Sequence, residues 1–395
     1  MKKLLSLLLS ATMVLSVASC GSKDNTASDD VKVGFIFLHD ENSTYDKNFM
    51  DAATAATENL GLTTEQVMIK TNIPETAECY EAAADLVDAG CDLIFADSFG
   101  HEDFIIQAAE EFPEVTFCHA TGTKAHTKDL PNFYNAFASI YEGRFLVGVA
   151  AGLKLNEMIE SGKITANEAK MGYVGAYPYA EVKSGLTSFF LGARYVCPSV
   201  TMDVKYTNSW FDIAAEKETA NALIAGGCVL VSQHADSEGA PKACEEAGVP
   251  NVAYNLDTRE WGPNTALISS KINWTPYFEH IITATMNGTE ITQDFCGGLA
   301  EDVVQILGLN ESVAAEGTKE KLEEVKSKLI SGEIKVFDTT TFTVDGKTLT
   351  EYMADVDTDA DFTPDTQVIS DGYFHESEFR SAPYFDIDID GITTK

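Results

Sequence analysis

Basic residues are scarce in this chain. Lys and Arg number 27 against 62 Asp and Glu, a formal charge of −35 at pH 7. So acidic a chain lacks the positive face that a phosphate backbone needs, which excludes nucleic acid as a partner. Cysteine is present without a pattern. None of the eight stands in a CxxC spacing, so neither a zinc site nor a disulfide framework is indicated. Apart from Cys20, the cysteines (79, 91, 118, 197, 228, 244 and 296) mostly sit in apolar surroundings and read as small buried hydrophobes. Catalytic signatures are missing: there is no GxSxG, HExxH, GxxxxGK[ST] or GxGxxG. Two aspartate ladders fail the EF-hand pattern. Asp355-x-Asp357-x-Asp359 lacks Gly at the sixth position and Glu at the twelfth, and Asp386-x-Asp388-x-Asp390-Gly391 ends before a twelfth residue. No metal, cofactor or enzymatic activity is expected.

Long apolar runs are missing too, except at the start. Met1-Lys2-Lys3 is basic, Leu4 to Val17 is apolar, and Val17-Ala18-Ser19-Cys20 offers small residues before a cysteine. This is the layout of an export signal, too short for a span. The cysteine after small residues resembles a bacterial lipobox, which implies lipidation of Cys20 and a tether over 20–30. The alternative is a secreted chain with a chance cysteine. Lipid chains contribute roughly 0.8 kcal/mol per buried CH₂, enough for several together to anchor a protein. The expected location is extracytoplasmic, lipid-anchored at the bacterial cell membrane.

What the body does have is alternation. Apolar strands are expected at Val31–Leu38, Val67–Thr71, Asp92–Ala96 and Val115–His119, with helices at Asp46–Leu60, Thr76–Ala89 and Glu102–Glu111 between them. The pattern then restarts, with helices at Glu142–Met158, Ala180–Val196, Ile213–Ala225 and Glu238–Ala247. Strands at Lys170–Gly175, Val200–Tyr206, Val229–Gln233 and Asn251–Tyr254 accompany them. Short continuous apolar strands between amphipathic helices make a parallel sheet covered on both faces. Further helices are expected at Pro276–Met286 and Gly317–Ile330, an acidic loop at Asp355–Asp365, and a half-exposed strand at Ala382–Ile392. The fold class is α/β, with two doubly wound lobes, a hinge and a cleft between. The divisions are a signal at 1–19, lobe 1 at 31–140 with a return near 258–295, lobe 2 at 141–257 with 296–345, and an extension at 346–395.

Ligands of such sheets bind outside the carboxyl ends of the strands. There the chain places His39 to Asp46, Asp97-Ser98-Phe99-Gly100, His119 to Gly122, Ala176 to Tyr179, Asn208 to Asp212, Gln233 to Ser237 and Asn255-Leu256-Asp257. Flat aromatics with carboxylates suit a planar heterocycle. A base stacked on a side chain gains about 1–3 kcal/mol, and carboxylates accept from N–H or hydroxyl groups. The alternative for Phe99, Phe211 or Trp210 taken singly is core packing. His234 and Asp236, two apart at a strand end, suit ligand contact or helix capping better than acid–base work. The candidate ligand-binding residues are Tyr45, Asp46, Asp97, Phe99, Tyr177, Trp210, His234, Asp236, Asn255 and Asp257.

Several of these segments carry a family resemblance. Asp97-Ser98-Phe99-Gly100, Glu111-Phe112-Pro113, His119-Ala120-Thr121-Gly122, Tyr141-Glu142-Gly143-Arg144-Phe145, Thr207 to Asp212, Gln233 to Ser237 and Asn273-Trp274, in that order, resemble the basic membrane protein (BMP) family. Its members are lipoproteins that serve as substrate-binding components of ABC importers, with the type I periplasmic-binding fold. The resemblance runs from about Val31 to Phe337 and implies a purine base or purine nucleoside as ligand and ABC permease subunits as partners. It maps a first-loop aromatic onto Tyr45, with Asp46 where an amide often stands, a second-lobe aromatic onto Trp210 or Phe211, and a ribose-side carboxylate onto Asp257. His234 to Ser237 departs from the Gly-rich segment of nucleoside binders, and Ser43 stands where the base-binding branch often has Trp. Base and nucleoside therefore both remain open, as does another small polar ligand such as a sugar. A sensing lipoprotein that feeds no transporter is the other alternative. A monomer is expected.

Overall fold

A computed structural model describes residues 31–356 and 363–395. The signal, Cys20 and the tether, and most of the acidic stretch after Asp355, lie outside the described residues. In chain order the first unit is β1 (Val33–Ile36), α1 (Thr44–Asn59), β2 (Val67–Lys70), α2 (Ala77–Asp88), β3 (Leu93–Ala96), α3 (Glu102–Glu111), β4 (Thr116–Ala120), α4 (Ala125–Lys128) and β5 (Phe133–Ala138). Helix α5 (Ile140–Glu160) opens the second unit. It continues through β6 (Lys170–Gly175), α6 (Ala180–Val196), β7 (Thr201–Tyr206), α7 (Ile213–Ala225), β8 (Leu230–Gln233), α8 (Gly239–Ala247), β9 (Asn251–Tyr254) and β10 (Ala266–Ile272). Then come α9 (Thr275–Asn287), β11 (Asp294–Gly297), β12 (Val304–Leu307) and α10 (Thr318–Ile330).

Two sheets result. The first runs β11-β5-β4-β3-β1-β2, all parallel. The second runs β12-β10-β9-β8-β6-β7 with the terminal strand Ile392–Thr394 beside β7, and only β12 is antiparallel. Strands β1, β3, β8 and β9 are buried along their whole length, as sheets covered by helices on both faces require. The chain passes between the sheets three times, at β5–α5, β10–α9 and β11–β12.

The observed fold departs from the sequence reading in three places. Strands β5, β10, β11 and β12 were not legible, because polar residues interrupt their apolar runs. Asn135, Ser269 and Ser270 are nonetheless buried in the sheets. Strand β10 lies in the second sheet beside β9, so the return to the first lobe begins after Ile272 rather than near 258. It carries α9, which packs on α1, and β11. The stretch from Ala382 shows the alternation of a half-exposed strand, with Phe385, Ile387 and Ile389 buried. Before the ladder to β7 begins at Ile392, its backbone is held by single hydrogen bonds such as that from the Asp390 N–H to the Thr343 carbonyl at 2.8 Å. Asp386 and Asp390, read above as a failed calcium ladder, instead accept hydrogen bonds from the Tyr352 and Thr343 hydroxyls. Cysteines 79, 91, 118, 197, 228, 244 and 296 are free thiols, and burial pushes Cys118 and Cys296 up to about 12.

The second lobe is organised by an unusually close helix pair. Gly148 and Gly152 of α5 face Gly192 and Ala193 of α6 with backbones in contact. A Cβ on Gly148 would stand 2.1 Å from the Phe189 carbonyl oxygen, and one on Gly192 would stand 2.0 Å from that of Phe145. Only a hydrogen fits there. The crossing fixes where the first turn of α6 meets the cleft. Gly148→Ala and Gly192→Ala are each expected to destabilise the protein by about 1–3 kcal/mol or more, the usual range for overpacking. Chemical denaturation measures this, and unchanged midpoints for both variants would contradict the crossing.

Candidate ligand-binding site

The strand-end loops of the two sheets face one another across a cavity with about 370 Å³ of empty space, the solvent at its mouth included. Leu38, His39, Tyr45, Asp46, Ser98, Phe99 and Thr121 line it from the first lobe. Glu181, Trp210, His234, Asp236 and Tyr254 line it from the second. The lobes touch at its rim. The Thr44 N–H donates to the Asp236 carbonyl at 2.8 Å. His39 and Phe211 rings lie 5.4 Å apart, and Phe99 and Tyr179 rings 5.7 Å apart.

Four carboxylates hold five of these loops. After β1, Asp46 accepts from the His39 N–H at 2.7 Å and the Ser43 hydroxyl at 2.5 Å, while Ser43 caps α1. Burial pushes the Asp46 carboxyl up, but the hydrogen bonds from His39 and Ser43 outweigh it and hold the group below the usual carboxylate range. After β3, Glu75 accepts from the Ser98 hydroxyl at 2.6 Å and the Gly100 N–H at 2.8 Å. After β4, Thr121 takes a left-handed conformation (φ 66°), and Glu102 accepts from the N–H groups of Thr123 and Lys124 at 2.7 and 2.9 Å. In the second lobe Glu216 of α7 reaches two loops at once. It accepts from the Asp212 N–H at 3.2 Å, two residues after Trp210, and from the Ser237 N–H at 3.0 Å, next to Asp236.

Of the residues expected from the sequence, Tyr45, Asp46, Phe99, Trp210, His234 and Asp236 line the cavity. Asp97 sits one layer behind. Its carbonyl accepts from the Tyr45 hydroxyl at 2.8 Å and its carboxylate from the Leu38 N–H at 3.2 Å. Burial, reinforced by the neighbouring Asp46 charge, pushes its carboxyl well above the usual range. Asn255 also stands behind the wall and donates to Asp236 at 3.2 Å. Burial, with Glu216 next, pushes Asp236 up as well. Tyr177 packs edge-on against Trp210 at 5.2 Å and stacks on Tyr179, outside the lining. Asp257 is the outlier: Arg259 holds it in a bidentate pair on the surface, away from the cavity wall.

Sequence reading missed Leu38, Ser98, Thr121, Glu181, Tyr254 and the role of His39 as lining groups. The strand-end rule reaches most of these, because each follows or closes a strand. Glu181 gave no such signal, since an acid in the first turn of a helix is ordinary. The lining holds three carboxyl groups and no lysine or arginine, so the cavity suits a neutral ligand rich in N–H or O–H donors.

Burial, the largest influence, raises the Glu216 carboxyl from 4.5 to about 7. A carboxyl raised on folding stabilises fully below its unfolded value, and that contribution fades as pH climbs through the folded one. Glu216 therefore makes stability fall between about 4.5 and about 7. Glu216→Gln is expected to flatten the dependence of the melting temperature on pH across this window. Glu216→Ala should cost about 1–3 kcal/mol by leaving two N–H groups unmet. A Gln variant with the same pH slope as the parent would contradict the latch.

Comparison with known proteins agrees with this architecture. A purine-binding protein of Brucella abortus (strain 2308) is 33% identical over 314 residues, covering 79% of this chain and 84% of that one. A putative ABC transporter glucose-binding protein of Haloferax volcanii is 32% identical over 246 residues, 62% of this chain and 59% of that one. The solved solute-binding protein of an Aeropyrum pernix K1 ABC transporter system superposes with a TM-score of 0.66 at 20% identity, over 78% of this chain and 93% of that one, a likeness of fold. The family model described as ABC transporter substrate-binding protein, PnrA-like, matches residues 33–340. The chain belongs to that Bmp family of ABC transporter substrate-binding proteins, whose role is binding rather than catalysis.

Proposed function

We propose that this chain captures a purine base or purine nucleoside between its lobes and delivers it to the permease of an ABC importer. The observation that carries this reading is the cavity itself: Tyr45 and Phe99 reach it from one lobe, Trp210 and Tyr254 from the other, with carboxyl groups between them. In this reading Tyr45 and Trp210 hold the two faces of the base. Asp46 and Asp236 take its N–H groups, and Asp97 and Asn255 position them. The purine-binding relative points the same way. Because ligand touches both lobes only when they close, it favours the closed form by that difference in contact. Lipidation of Cys20 would keep the receptor beside its permease at high effective concentration. Among the described residues no helix is long and apolar enough to cross a membrane.

A second reading is a hexose. The glucose-binding relative and the acid-rich wall favour it, since carboxylates accept from sugar hydroxyls. A thermal-shift screen of purines, nucleosides, nucleoside monophosphates and hexoses separates the two. Ligand at 100 times its Kd stabilises by about 2.7 kcal/mol. Purine bases or nucleosides should raise the melting temperature, while the monophosphates, facing a cavity with no cation in its wall, should not. Trp210→Ala should weaken the best purine ligand by about 1–3 kcal/mol by calorimetry. Stabilisation by hexoses alone would replace the purine reading, and unchanged affinity would take Trp210 out of the contact. Radiolabelled palmitate incorporated by the full chain but not by Cys20→Ala is the outcome expected for the anchor; equal labelling would refute it.

A further inference from the structure

Arg144 of α5 is a fully buried guanidinium with no carboxylate in ion-pair contact among the described residues. Its Nη2 donates to the Tyr173 hydroxyl and to the Gln233 carbonyl at 2.8 Å, and it faces Nδ1 of His234 at 3.4 Å. The Tyr254 ring lies 4.4 Å from the guanidinium carbon. A buried arginine costs a great deal unless it organises something. Here its neighbour is a cavity residue.

The chemistry of the pair fixes a proton. A guanidinium has donors and no acceptor, and the Tyr173 hydroxyl, which accepts from Arg144, also stands 3.4 Å from Nδ1 with its own proton to give, so the His234 nitrogen that faces both carries a lone pair. Nδ1 is then the acceptor and the ring proton sits on Nε2. That nitrogen faces Oε1 of Glu181 at 3.4 Å, and Glu181 lines the cavity. Burial, the largest influence, lowers the His234 pKa and keeps the ring neutral, in keeping with this tautomer. The backbone is shaped around the arrangement. A Cβ on Gly185 of α6 would lie 3.0 Å from His234 Nδ1 and 3.1 Å from Cε1, so a larger residue there would press on the ring.

We propose that Arg144 and His234 are positioning residues that hold Glu181 as the specificity-determining acceptor of the cavity. Arg144 sets the tautomer of His234, His234 donates to one oxygen of Glu181, and the other oxygen selects ligands that offer an N–H or O–H there. The inference rests on the binding reading above and is silent on whether the ligand is a purine or a sugar. It explains why the wall carries an acid that the strand-end rule does not reach, and why a charged arginine is retained beneath it.

The test has two arms on the full chain. Nitrogen-15 NMR of the histidine rings near neutral pH, with His234 assigned by loss of its signals in His234→Gln, should give an acceptor-type Nδ1 and a protonated Nε2. Arg144→Lys should shift that signature, which a merely structural arginine would not do. A protonated Nδ1, or a doubly protonated ring, would overturn the relay. In the second arm, hypoxanthine, adenine, inosine, adenosine and glucose are titrated calorimetrically into the parent. If none of the purines binds, the purine reading fails, and the inference is then judged on glucose and on the ring signature. Glu181→Gln and Glu181→Asp, at a partly exposed helix start, should each weaken the best of these probes by about tenfold or more while the melting temperature of the free protein holds. Affinity within about twofold of the parent in both variants would overturn it.

Discussion

The site depends on carboxylates that hold backbone. A parallel sheet ends in loops whose N–H groups have left one strand and not yet entered a helix, and those groups need acceptors wherever water is excluded. Asp46, Glu75, Glu102 and Glu216 supply them, the last two to a pair of N–H groups and the first two to an N–H and a serine hydroxyl. The cost is acid held where it is reluctant to ionise, seen in the raised Glu216 carboxyl. The gain is a set of loops rigid enough to present flat side chains at fixed positions. Asp97 behind that layer and Asp236 in the wall itself are pushed upward by burial, which eases the crowding of like charge in the cleft.

Rigid loops on two lobes make a clamp. The Thr44–Asp236 backbone bond and the ring contacts at the rim join loops of different sheets, so they exist only when the lobes are together. A few such contacts are weak alone. Ligand contacts on both walls add to them, and the sum biases the equilibrium between open and closed forms. Helix α5 ties this to the rest of the second lobe. Its glycines fix α6, and α6 brings Glu181 to the cleft.

Much of this was legible in the sequence, and the illegible parts share a cause. The alternation of strands and helices read cleanly wherever a strand was a continuous apolar run, as in β1 and β3. It failed where buried polar residues broke the run, as with Ser269 and Ser270 of β10. Tyr45, Trp210 and Asp236 stand at the cavity because topology alone sends strand-end residues there. Asp257 stands at a strand end too, but Arg259 two residues on draws its carboxylate to the surface, a choice that local spacing does not reveal. Glu181 and Arg144 were illegible because their roles arise from a helix crossing and a buried tautomer, neither of which has a signature in linear order.

Closure on ligand is the central claim, and small-angle X-ray scattering of the full chain tests it most directly. Saturating with a purine base or nucleoside that calorimetry shows to bind should reduce the radius of gyration, because the cleft shuts. A scattering profile unchanged by such a bound ligand would contradict the two-lobed clamp.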